Sequence, residues 1–296
     1  MKLIWFQWLV VLALVLPCFV GAQTVDKTIE TLNSGHKLGR IAQLAISPSG
    51  GSIAITDQHA NLIFVTDPEG EVLWIVGEGL QIRQPEAVCF VSEERILFSQ
   101  KNSLVIYGAS RKDPARLDTV ADLTEKLPSK ASIDQLIPVA TGGHLILDQS
   151  LAAVYRLKAN WDFDKTLISR GDRKGELWSP AAMVIDLAGN IVVADAGNYP
   201  VQTFSRDGRF LFQGSWNAPE RARSWTAGAI AISRDDRVWV ADIAGAQWRI
   251  FDRTGNEIAQ AAFAPPIFRP NTMVALADNR LLIGDERGIL IYLKTE

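Results

Sequence analysis

The stretch "SPAAMVIDLAGNIVVADAGNYPVQTFSRDGRF", Ser179 to Phe210, sets a proline ahead of an apolar run, then a glycine-bearing turn. A second apolar run follows, ending in Asp195, then a glycine loop, a third run and an Asp-Gly turn. The order predicts strand, hairpin, strand, loop, strand, hairpin, strand, because Gly and Asn supply the positive φ of tight turns while proline can open a strand but not continue one.

Taking Asp195 as origin, the unit recurs along the chain. Asp57, Gln100, Asp148, Asp242 and Asp285 each close a short apolar run, at spacings of 43, 48, 47, 47 and 43 residues. Six residues upstream of each origin stand Gly51, Glu94, Gly142, Gly189, Asp236 and Asn279, five of which tolerate positive φ. Fifteen upstream stand Ala42, Pro85, Ile133, Pro180, Ala227 and Pro270, and thirteen downstream Gly70, Gly208 and Gly255 finish turns. Six units of four strands, with no convincing helix, predict an all-β, six-bladed β-propeller of four-stranded antiparallel blades rather than a solenoid. The last unit stops at "GILIYLKTE", so "TVDKTIETL" near the N-terminus is expected to complete the last blade and close the ring. The repeated carboxylates Asp57, Asp148, Asp195, Asp242 and Asp285 read as structural acceptors of turn N–H groups, since a folding device is needed in every blade and a catalytic group only once.

The chain of 296 residues is 48% hydrophobic, with 30 basic against 33 acidic side chains. This composition argues against disorder and gives no clustered positive charge for nucleic acid. Lys2 followed by apolar Leu3 to Ala22 has the layout of a signal peptide, 1–22, with a retained membrane anchor as the alternative. The expected organisation is then a closing strand and linker over 23–38 and the propeller over 39–296. The location is periplasmic or secreted, with membrane association only if the leader stays, and the protein is expected to be a monomer. Beyond the leader only Cys89 remains, a buried structural thiol in "AVCFV".

The repeats of "SPAAMVIDLAGNIVVADAGNYPVQTFSRDGRF" and "TAGAIAISRDDRVWVADIAGAQWRIFDRTGNE" resemble those of the NHL-repeat family, with its proline, "VAD" and Gly-Asn positions. The resemblance runs through all six units and is weakest at the second, where Gln100 replaces the aspartate. It implies a binding or scaffold propeller without a catalytic residue, presenting its inter-blade loops to a protein, peptide or glycan. The long connections "SRGDRKGELWSP" and "GSWNAPERARSWT" supply the candidate contact residues Trp178, Trp216, Trp225, Arg173, Arg221 and Arg223.

The residue after the proline position points to the channel mouth, giving Gln43, Glu86, Asp134 and Asn271 there, with Ala181 and Gly228 in the other two units. Arg40, Arg83 and Arg269 flank the mouth, able to clamp an anion or pair with Glu86 and Asp134. Gluconolactonases and paraoxonases resemble this architecture in shape, and that likeness implies a metal-dependent hydrolase or lyase. In that alternative Glu86, Asp134 and Asn271 would hold a calcium-type divalent ion. The histidines His36, His59 and His144 fall in a linker, a loop and a hairpin, and are not expected to converge on a zinc ion.

Overall fold

The computed structural model describes residues 24–197, 201–214, 226–264 and 266–295. It contains 24 strands in six four-stranded antiparallel sheets arranged as a ring, the predicted propeller. The innermost strands are β2 (Ile41–Ile46), β6 (Pro85–Ser92), β10 (Gln135–Pro138), β14 (Pro180–Ile185), β18 (Ala227–Ile232) and β22 (Pro270–Ala275). The N-terminal strand β1 (Val25–Ile29) pairs with β24 (Leu290–Lys294), with Thr28 opposite Ile291 and Ile29 opposite Leu290, and so completes the last blade. Asp26 reinforces the closure through Arg280 at 3.3 Å and Lys294 at 2.9 Å. The expected leader, 1–22, lies outside the described residues. No helix among those described is long and apolar enough to cross a membrane.

Both faces of every blade are covered, which is why the second strands show no apolar and polar alternation. β3 (Ile53–Asp57), β11 (His144–Asp148), β15 (Ile191–Asp195) and β19 (Val238–Asp242) are buried along their whole length. The buried side chains form six clusters, one for each seam between neighbouring blades. Trp239 and Trp248 fill the seam between the last two blades against Met273 and Ile283. Cys89 is buried in the seam between the second and third blades, where loss of hydration pushes its thiol up to about 12.

The repeated carboxylates act as caps. Asp57 accepts N–H groups from Gly39 (2.6 Å), His59 (2.9 Å) and Ala60 (2.9 Å), and Asp195 from Trp178 (2.8 Å), Ser179 (2.8 Å) and Gly197 (3.0 Å). Asp57 and Asp195 thereby clamp the incoming inter-blade loop to the turn that follows their own strand. Gln100, which breaks the sequence pattern, does part of the same work by accepting Arg83 N–H at 2.6 Å.

Two repeat positions differ from the sequence reading. In the first blade the hairpin holds one extra residue, so Ile41 rather than Ala42 stands opposite Asp57 and Gly50 rather than Gly51 takes positive φ. Elsewhere the reading holds: Glu94, the one turn position not expected to take positive φ, is absent from the positive-φ positions that Gly142, Gly189, Asp236 and Asn279 share, and Ile133 is buried just ahead of its strand.

Asp195→Ala removes one acceptor from three N–H groups and is expected to cost on the order of 3 kcal/mol in urea unfolding. A loss below about 0.5 kcal/mol would show that the cap is dispensable.

Candidate functional site

One face of the ring carries the inter-blade loops and the caps, and here called the mouth face; the other carries the first and third hairpins of each blade. At the mouth, Glu86 and Asp134 come from neighbouring blades and both have raised pKa values, Glu86 to about 6. Burial is the larger cause for both, and for Glu86 the Asp134 charge comes next. Gln58 Nε2 donates to Glu86 at 2.5 Å; Ser132 Oγ and Gln149 N–H (2.7 Å) donate to Asp134. Lys101 acts on both carboxylates from a distance, and Arg40 on Glu86.

The other mouth candidates are spread apart. Gln43 is displaced by the first blade's extra residue: it is buried in a seam, and its Oε1 accepts Val88 N–H at 2.8 Å. Asn271 Nδ2 donates to Ile41 O at 2.6 Å, leaving a buried Oδ1 without a hydrogen-bond partner. Gly228 is held by contact rather than chemistry, since a Cβ there would lie 2.1 Å from Pro270 O. Arg40 and Arg83 are exposed on the rim, and Arg269 pairs with Glu286 at 3.6 Å instead of with Glu86 or Asp134.

These donors do not fit a calcium-type ion. Such ions take six to eight oxygens, whereas Glu86 and Asp134 each spend an oxygen on protein donors, and Asn271, whose Oδ1 has no partner, stands on the sixth blade, away from Glu86 on the second and Asp134 at the third. Among the described residues no three His, Cys, Asp or Glu side chains are grouped to hold a metal. The histidines stay apart: His36 lies 3.8 Å from Glu78, His59 is exposed in the turn capped by Asp57, and His144 stacks on Trp161 with ring centroids 4.0 Å apart.

Two aromatic side chains stand out on the mouth face. Trp178 is 49% exposed, with the Arg170 guanidinium 5.0 Å from its ring. Gly197 makes room for it, because a Cβ there would lie 2.3 Å from the indole. Phe268 is 50% exposed between Arg269 and Arg287, at 5.9 and 5.5 Å from its ring. Arg173 is exposed in the same loop as Trp178, its N–H donating to Glu176 at 3.0 Å. Trp216, Trp225, Arg221 and Arg223 lie outside the described residues. The sequence reading missed Phe268, Arg170 and Arg287; "APPIFRP" held the signal, a large ring beside arginine in an inter-blade loop.

No protein-family profile matches the chain, and no curated protein matches it in sequence, so the NHL resemblance rests on the repeat residues alone. Solved structures match over nearly the whole chain. Virginiamycin B lyase from Staphylococcus aureus aligns with TM-score 0.64 at 12% identity, over 91% of this chain and 99% of the lyase. The propeller domain of Cps50 (Swd1) from Myceliophteria thermophila aligns with TM-score 0.65 at 11% identity, over 93% and 100%. The calcium-binding protein regucalcin from Agrobacterium tumefaciens aligns with TM-score 0.64 at 12% identity, over 88% and 92%. This chain shares their propeller fold.

Because the Glu86 pKa is raised from 4.5 to about 6, the native protein holds that proton more tightly than the unfolded chain. The associated stability is present below about pH 4.5 and is lost as pH rises through 6. Glu86→Gln is therefore expected to stabilise the protein at pH 8 by on the order of 1 kcal/mol and to change little at pH 4. Equal effects at both pH values in thermal melts would contradict this account.

Proposed function

We propose that the protein is an exported propeller that works as a binding module, taking a protein or peptide partner on its mouth face. One observation carries the reading: Trp178 and Phe268, two large exposed rings, stand on that face, each with arginine against it. Aromatic and arginine side chains are the enriched anchors of interfaces, and a ring held by arginine loses little freedom on binding. The exposed Arg40, Arg83 and Arg173 add positive charge at the periphery, which favours a partner with acidic groups beside an aromatic or aliphatic anchor. Export rests on the Lys2 and Leu3–Ala22 leader, and location outside the cytoplasm follows from it.

The test is a displayed peptide library panned against the full protein. Acidic, aromatic-bearing peptides should be enriched, and Trp178→Ala with Phe268→Ala should reduce capture about ten-fold or more, with Tm within about 2 °C of wild type. Enrichment that survives the double substitution would remove the mouth face from consideration.

The virginiamycin B lyase likeness supports a second reading, hydrolysis or elimination at the mouth, and the raised Glu86 pKa is the one observation favouring it. If metal assists that chemistry, millimolar calcium should raise Tm through preferential binding to the native state, and Glu86→Gln should abolish the rise. The donor geometry leads us to expect no shift.

A further inference from the structure

A cavity in the ring opens on the hairpin face, opposite the mouth. It occupies about 620 Å³ of the channel, inside the range of roughly 300–1,000 Å³ typical of small-molecule sites. Its walls are apolar ends of inner strands, among them Ala45, Ile46, Phe90, Ile137, Val184 and Ile232. Its inner end reaches Gln43, Gln135 and Thr272, whose side-chain oxygens already accept N–H groups of Val88, Met183 and Leu44. Glu86 and Asp134 do not line it. At its rim Leu187 is 82% exposed on the tip of the β14–β15 hairpin.

A second cavity of about 360 Å³ adjoins the first, sharing Val139, Thr141, Ile185, Gly189 and Arg206 with it. Here the lining is charged: Arg156, Lys158 and Arg206 with Asp164 and Asp207. Arg156 takes up both carboxylates, Asp164 through Nε and Asp207 through Nη1 at 3.2 Å. No ion pair engages Lys158 or Arg206 among the described residues. The Arg206 guanidinium lies 4.0 Å from the Cβ position of Gly189, so it sits where the two cavities meet. An apolar cavity bordered by Arg206 and Lys158, neither in an ion pair among the described residues, is complementary to one class of small molecule.

The geometry points to a site for a long-chain fatty carboxylate, with the alkyl chain in the channel and the carboxylate at Arg206 and Lys158. Apolar burial supplies the affinity, about four-fold for each CH₂ taken from water, and the guanidinium fixes orientation through a charge-assisted hydrogen bond. The site is independent of the mouth-face reading, since none of its residues belongs to that face.

Isothermal titration of the delipidated full protein with octanoate, decanoate and dodecanoate tests it. One ligand should bind per chain, with affinity rising about four-fold per CH₂ until the channel is filled, and dodecanol should bind at least ten-fold more weakly than dodecanoate. Ala140→Trp, at an exposed position on the cavity wall, should abolish binding. Arg206→Glu should weaken dodecanoate and favour dodecylamine, and this surface change decides the matter if the Ala140 variant fails to fold. Absence of binding, affinity independent of chain length, or equal affinity for dodecanoate and dodecanol would each overturn the assignment. Trp178→Ala with Phe268→Ala should leave these titrations unchanged, so failure at one face cannot be mistaken for failure at the other.

Discussion

A β-bulge at the start of the inner strands is the constraint on which the ring depends. In the first, second and fifth blades three residues of the inner strand face two of its partner, and in the fourth and sixth two face one. A bulge leaves backbone groups outside the ladder, and buried backbone groups must find partners. The preceding blade supplies them. Gln43 Oε1 accepts Val88 N–H, Gln135 Oε1 accepts Met183 N–H at 2.6 Å, and Thr272 Oγ1 accepts Leu44 N–H at 2.9 Å. Donors cross the seams as well: Thr56 to Glu86 O, Ser99 to Ile133 O, Gln149 to Ala181 O and Asn271 to Ile41 O. Between the fifth and sixth blades the contact is backbone against side-chain-free Gly228. Adjacent sheets are thereby held in register by directional bonds as well as by the non-directional packing of the seam clusters.

That arrangement separates folding from function. The capping aspartates and the seam groups Gln43, Thr56, Ser99, Gln135 and Thr272 are occupied in holding blades and loops, so they are poor candidates for chemistry on a ligand. What remains available sits at the two ends of the channel and on the loop rims, where neither seam nor cap consumes the side chains.

The sequence carried the fold because its constraints recur from blade to blade: an acceptor at the end of the second strand in all six, a turn residue with positive φ in five, and a proline at the start of the inner strand in three. Gln100, read there as a lapse, keeps the cap's bond to the incoming loop with a longer side chain. The first blade defeated the ruler by one residue because an added residue in its hairpin is invisible to a count made from Asp57, and Gln43 thereby moved from mouth to seam. The closeness of Glu86 and Asp134 was legible, since equivalent positions on neighbouring blades must face one channel. The apolar cavity was not, because Ile46, Ile137 and Ile232 are indistinguishable in sequence from residues buried in a seam, and only the ring's geometry leaves them lining a space.

The two ends of the channel therefore differ in kind. At the mouth, burial makes both Glu86 and Asp134 costlier to ionise and the Asp134 charge adds to this at Glu86, a preference for protons or cations that Lys101 tempers at both and Arg40 at Glu86 without direct pairing. At the hairpin end, alkyl side chains face an open space beside guanidinium and ammonium groups. A ligand suited to one end is disfavoured at the other: an anion that settles beside Arg206 would meet like charge at Glu86, and a cation held at Glu86 would meet only amide and hydroxyl groups already accepting N–H down the channel, at Gln43, Gln135 and Thr272. The side chains that set this polarity differ from Gln43, Gln135 and Thr272, which bridge the seams, so the chemistry of each end can change without rebuilding the fold.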